Sequence, residues 1–133
     1  MLCFIDKGYW KWLVEGFRNS LVITFFAIII GFVFGVVLAT IRSSYDKNEE
    51  TLKLRGGIGY WLLKIINAIS KIYITVVRGV PVVVQLMLWY FVILVSQDNG
   101  VIVAIVAFGF NSAAYVAEIF RGGIMSVDNG QFE

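Results

Sequence analysis

Asn99 to Gly123 reads NGVIVAIVAFGFNSAAYVAEIFRGG, and the run from Asn99 to Ala117 carries no charge before Glu118 and Arg121 arrive. At about 1.5 Å per residue a helix over that run rises roughly 28 Å, close to the roughly 30 Å thickness of a bilayer's hydrocarbon core. The stretch therefore reads as a membrane helix whose far end is polar. A bare anchor needs neither a Glu at that end nor the glycines that follow it. A membrane pathway coupled to a soluble motor needs both a polar route and a docking surface.

The rest of the chain agrees with a bilayer as solvent. Of 133 residues, 59% are hydrophobic and 15% charged, against about 25% charged in soluble domains. Positions 19–41 are charge-free, which at about 1.5 Å per residue is again enough to span. This run exceeds the usual signal-peptide core, and no small-x-small cleavage site precedes Arg42. A third charge-free window covers 79–97, separated from the last by Gln97-Asp98-Asn99-Gly100, which supplies turn residues. We therefore expect an all-α, polytopic membrane protein with three transmembrane helices, at about 19–41, 79–97 and 99–120.

Charge placement orients these spans. With the N-terminus outside, Arg42, Lys47, Lys53, Arg55, Lys64, Lys71, Arg78 and Arg121 fall on the cytoplasmic side, and Lys7, Lys11 and Arg18 remain outside. A fourth span over 60–77 would carry Lys64 and Lys71 inside it and put Arg78 and Arg121 on the side opposite to the first basic loop. That segment is expected instead as an amphipathic helix that lies in the interface or extends the second span into the cytoplasm. Residues 1–18 form an amphipathic, aromatic-rich extracytoplasmic lead, and Ser43 to Gly59 a polar linker. Gly56-Gly57-Ile58-Gly59 lacks a Gly-Lys-Ser/Thr ending, so the chain binds no nucleotide there and does not itself hydrolyse ATP. One cysteine and no histidine exclude an intrachain disulfide, a zinc site and histidine catalysis.

Few polar residues remain as candidates. Gly31, Gly35 and Ala39 form a small-residue stripe suited to close helix approach, or reflect the ordinary tolerance of Gly in membrane helices. Arg78-Gly79-Val80-Pro81 interrupts the apolar pattern: Pro81 removes a backbone donor and Val80 is pushed from α geometry, so Gly79 and Pro81 mark a bend. Gln85, one turn on, faces a polar pathway or bonds to another helix. Asn111, Tyr115 and Glu118 share one side of the last span. Glu118 is the strongest single candidate because an ionisable group at this depth is costly; its two readings are pairing with Arg121 and contact with a substrate.

Taken together, Arg78-Gly79-Val80-Pro81 with Gln85, then Ala114-Tyr115-Val116-Ala117-Glu118-Ile119-Phe120-Arg121-Gly122-Gly123-Ile124, then Gly130-Gln131-Phe132-Glu133, resemble the permease subunits of ATP-binding cassette importers for polar amino acids. The resemblance covers roughly residues 18 to 133, so that 19–133 would be the N-terminal part of the permease transmembrane domain. It implies a MetI-like core of five helices, of which three are here, in the plasma (inner) membrane with the N-terminus outside and the last residues cytoplasmic. It also implies a second, identical or similar permease subunit, two ATPase subunits that use ATP and Mg, and an extracytoplasmic amino acid-binding protein. Neither a cofactor on this chain nor a nucleic acid partner is implied. In that picture Gln85 and Glu118 supply pathway polarity, and Asn111 and Tyr115 line it. Gly130, Gln131 and Glu133 match the start of the Glu-Ala-Ala loop that docks on the ATPase. The chain stops there, which reads as a fragment or a natural truncation. Val80 replaces the Thr most common before Pro in this element. The competing expectation is a non-transporting membrane scaffold or assembly subunit held together by the same polar stripe.

Overall fold

The structure, a computed structural model, describes residues 8–127. It is all-helical in these residues, with four α-helices: α1 (Tyr9–Arg55), α2 (Ile58–Gly79), α3 (Val82–Leu88) and α4 (Gly100–Ser126). α3 runs on as a π-helical turn over Trp89–Ile93. α1, α2 and α4 are long and apolar enough to cross a membrane.

Lipid as the surrounding solvent explains which residues lie inside. Within the apolar run of α1 the side chains that face outward are large, among them Phe25, Phe26, Ile28, Phe32 and Phe34, whereas those it buries are Ala27, Gly31, Gly35 and Ala39. α4 likewise buries Ala107, Gly109, Ala113, Ala114 and Ala117. Helices gain little by hiding apolar groups from apolar lipid, so small residues that allow backbones to approach define the contact. The approach is closest at two glycines. A Cβ placed on Gly31 would lie 2.6 Å from Ser112 Cβ, and one on Gly35 2.6 Å from Val116 Cβ and 3.0 Å from the Ala113 carbonyl oxygen. Successive α1 residues meet successive α4 residues, so the two helices run parallel, and the intervening chain must return to α4's starting side.

α1 is longer than the span expected over 19–41. At about 1.5 Å per residue its 47 residues extend roughly 70 Å, about twice the hydrocarbon thickness. The polar stretch expected as a linker over Ser43 to Gly59 is therefore helical as far as Arg55. The reason lies in its residues: Lys47, Glu49, Glu50, Leu52, Lys53, Leu54 and Arg55 are all good helix formers, and Glu49–Lys53 is a favourable i,i+4 pair. Polarity says only that this part of the helix leaves the apolar slab. The true turn is Gly56-Gly57, at φ 60° and 97° with ψ near 180°, a region open essentially to glycine alone.

α2 covers the segment 60–77 and packs Ile74 and Val77 against Ala114 and Ala117, with Leu38 and Tyr73 at the margin. The Tyr73 hydroxyl donates to the Phe110 carbonyl, and the rings of Tyr73 and Trp89 both meet Phe110 edge-on, at 4.5 and 5.2 Å between centroids. The window 79–97 is not one continuous helix. Gly79 ends α2, Val80 is extended at φ −102° and ψ 132°, and α3 starts after Pro81.

Candidate functional site

Proline at 81 has no N–H, so the Val77 carbonyl, four residues earlier, loses the donor that a continuous helix would supply. The Gln85 side chain takes that place: its Nε2 donates to the Val77 carbonyl at 2.6 Å and to the Val80 carbonyl at 2.8 Å. Two carbonyls can only accept, so the amide must present its NH₂ to both. Gln85 is buried, and its Oε1 has no partner among the described residues. The same residue also continues the chain into α3, its backbone N–H reaching the Pro81 carbonyl at 3.1 Å. The break at Val80-Pro81 is thus a pinned geometry, held by a side chain one turn further on.

The second cluster lies where the charge-free runs of α1 and α4 end. Arg42 closes the run 19–41 and Glu118 closes the run 99–117, and the parallel packing of the two helices brings these ends to one level. Glu118 Oε2 meets Arg42 Nη1 at 3.1 Å and Glu118 Oε1 meets Arg121 Nη2 at 2.9 Å. Arg121 Nη1 in turn meets Asp46 Oδ2 at 3.1 Å. Two guanidinium groups and two carboxylates therefore form a balanced chain that ties α4 to the extension of α1. Geometry of this kind matters at such a level because Arg42, at 7% exposure, would otherwise be an uncompensated charge in a poorly hydrated site.

Beside this chain lies an open hollow of about 470 Å³, bordered by Arg42, Lys71, Arg78, Tyr115, Glu118 and Arg121 among others. The Arg78 guanidinium sits 5.6 Å from the Tyr115 ring centre, a cation–π distance. This basin differs from the apolar hollow of about 420 Å³ bounded by Phe34, Ile69, Tyr73, Val106 and Phe110. Its lining is polar and charged, with Glu118 paired to Arg42 and Arg121.

The residues singled out from the sequence separate accordingly. Tyr115 and Glu118 border the basin, Gly79 borders it at the end of α2, and Gln85 serves the break at Pro81. Asn111 is half-buried on α4 and borders neither hollow. Gly130, Gln131 and Glu133 lie outside the described residues. Of the two readings of Glu118, the pairing reading named only Arg121; it did not name Arg42, which meets the same carboxylate, or Asp46, which meets Arg121. The available signal was that Arg42 and Glu118 each terminate a charge-free run of bilayer length.

Comparison with known proteins adds relatedness to this geometry. Residues 54–133 match the family model of the binding-protein-dependent transport system inner membrane component. The arginine transport system permease protein ArtQ of Bacillus subtilis is 37% identical over 124 residues, covering 91% of this chain and 49% of the relative. A Rickettsia prowazekii permease protein, provisionally named for glutamine transport, is 32% identical over 138 residues, covering 100% of this chain and 56% of the relative. A solved structure, the crystal structure of an amino acid ABC transporter with histidines, superposes with a TM-score of 0.70 at 31% identity, covering 98% of this chain and 53% of that one. The chain thus spans about half the length of the relatives it matches.

Proposed function

Because the chain belongs to the family of binding-protein-dependent transport system inner membrane components, we propose that it forms part of the transmembrane pathway of an ATP-binding cassette importer for polar amino acids. The match over residues 54–133 carries this reading. The amino acid transporter with histidines, aligned over 98% of this chain, and the arginine transport system permease protein ArtQ supply the substrate class. In this reading the chain is multi-pass in the inner membrane with its N-terminus outside, the side that leaves eight of its eleven Lys and Arg residues cytoplasmic.

The chain itself does not hydrolyse ATP. Two separate ATPase subunits use ATP and Mg, a second permease subunit completes the pathway, and an extracytoplasmic binding protein delivers the amino acid. Gly130, Gln131 and Glu133 begin the segment that docks on the ATPase. α1 and α4 are suited to move as one body: their backbones approach so closely at Gly31 and Gly35 that a Cβ there would lie 2.6 Å from Ser112 and Val116, and the Arg42–Glu118–Arg121–Asp46 chain ties the two helices together further along. Alternating access by largely rigid motion of helices requires such a unit. Tyr115 and Glu118 border the polar route, while Gln85 contributes by holding the bend at Gly79 and Pro81.

The test is copurification. A tagged permease polypeptide carrying these residues is expected to retain its cassette ATPase in detergent, and deletion of residues 130–133 is expected to release it. Equal retention with and without those residues would remove their docking role. Failure to retain any ATPase would favour the scaffold.

A further inference from the structure

Lys64, Lys71 and Arg78 recur on α2 at intervals of seven residues. Seven residues of α-helix return to within about 20° of the starting direction, so the three cations form one stripe, rising roughly 21 Å from first to last. Lys64 lies over the rings of Tyr60 and Trp61, at 5.9 and 5.2 Å. The stripe ends in the basin, where Lys71 and Arg78 join Arg42 and Arg121. The carboxylates of Glu118 and Asp46 are already engaged by Arg42 and Arg121. Neither Lys71 nor Arg78 has an ion-pair partner among the described residues, and both are exposed. Arg42 Nε, in a side chain only 9% exposed, is a further donor without an acceptor there. The basin therefore carries two more positive charges than negative ones, counting the four cations against Glu118 and Asp46.

Its depth identifies the anion. Arg42 and Glu118 mark the edge of the apolar runs, so the basin stands at the level of lipid headgroups, where the bilayer itself presents phosphates at high local concentration. Basic pockets between membrane helices at this level are suited to anionic headgroups. We propose that Lys71 and Arg78, in the basin walled by Arg42 and Arg121, hold the phosphate of an anionic phospholipid. This inference rests on membrane placement: it puts the lipid phosphate on the Lys71 and Arg78 side of the basin, beside the route that Tyr115 and Glu118 are proposed to border, and does not depend on which solute that route carries.

The experiment is native mass spectrometry of the detergent-solubilised chain titrated with dioleoyl-phosphatidylglycerol or dioleoyl-phosphatidylcholine. The wild type is expected to retain phosphatidylglycerol in preference to phosphatidylcholine. At about 1 kcal/mol per cation near the surface, Lys71→Gln alone weakens phosphatidylglycerol binding roughly fivefold and the Lys71→Gln/Arg78→Gln pair roughly 30-fold, with phosphatidylcholine binding unchanged. Lys71→Arg/Arg78→Lys keeps the wild-type preference, and Lys53→Gln/Arg55→Gln, at the far end of α1, leaves it intact. Unaltered phosphatidylglycerol binding in the Lys71/Arg78 pair overturns the proposal. So does an equal loss in the Lys53/Arg55 pair, which would make the attraction diffuse. Complete displacement of the lipid by millimolar inorganic phosphate would assign the basin to the free ion, and displacement by millimolar glutamine would assign it to a carried solute; either result overturns the lipid site.

Discussion

Replacing Gln85 by Ala removes both donors that the break at Pro81 relies on. The Val77 carbonyl then has no partner, because residue 81 is proline, and the Val80 carbonyl loses its bond at 2.8 Å. A buried acceptor left unsatisfied costs about 1–3 kcal/mol, and both Val77 and Gln85 are buried. Part of the Val80 loss is offset by local rearrangement of the extended residue, so a total of about 2–4 kcal/mol is expected. The decisive comparison is a double-mutant cycle. In a Pro81→Ala background, position 81 regains an N–H that reaches the Val77 carbonyl if α2 and α3 straighten into one helix. The cost of Gln85→Ala is then expected to fall by about 1–2 kcal/mol, the value of one satisfied acceptor. The assay is reversible unfolding of the detergent-solubilised chain by sodium dodecyl sulfate, followed by far-ultraviolet circular dichroism and by the fluorescence of Trp89 against a background lacking the other tryptophans. A Gln85→Ala cost below about 0.5 kcal/mol, or an equal cost in both backgrounds, would refute the role of Gln85 as the substitute for the missing proline donor.

Three other perturbations probe the remaining supports. Gly35→Val places atoms where Val116 already stands, 2.6 Å from the position of a Cβ, and is expected to cost about 1–3 kcal/mol in the same unfolding assay. Glu118→Gln leaves Arg42 and Arg121 facing each other without their shared carboxylate; because the Glu118 side chain keeps 27% exposure, the loss is set between surface and buried pairs, about 1–3 kcal/mol, and Arg42→Gln is expected to recover part of it. Gly57→Ala forces a side chain into φ 97° and is expected to cost about 1–3 kcal/mol, read as faster proteolysis between Arg55 and Ile58 while protection of α4 is unchanged.

Much of the architecture was legible because bilayer length and lack of charge are strong signals. The runs 19–41 and 99–117 lie within α1 and α4 as apolar helix, and the small residues Gly31 and Gly35 do permit close approach, to Ser112 and Val116. What hydropathy could not reveal was where helix continues without apolarity. The segment from Ser43 to Arg55 is polar because it projects from the slab, yet its Lys, Glu and Leu content favours helix throughout. The apolar window 79–97 was expected as one span with a bend marked by Gly79 and Pro81; hydropathy alone is blind to a missing N–H, and it was the residue types that pointed to the place where Val80 is extended and α3 begins after Pro81. The company of Glu118 was hidden for a different reason. Arg121 is three residues away and visible along one helix, whereas Arg42 and Asp46 are more than seventy positions distant and become neighbours only once α1 and α4 pack in parallel. Gln85 illustrates the same limit: its residue type declared a need for partners, expected in a polar route or on another helix, whereas its bonds to the Val77 and Val80 carbonyls depend on the geometry of the break.

Transport is the claim on which the functional account stands, and vectorial uptake tests it most directly. The permease polypeptide carrying these residues would be reconstituted in proteoliposomes with its cassette ATPase and extracytoplasmic binding protein, and accumulation of radiolabelled arginine, histidine, glutamine and glutamate measured with and without internal MgATP. The account predicts accumulation of at least one of these amino acids that requires both MgATP and the binding protein. A complex that assembles with its ATPase and hydrolyses ATP, yet accumulates none of them, would contradict it.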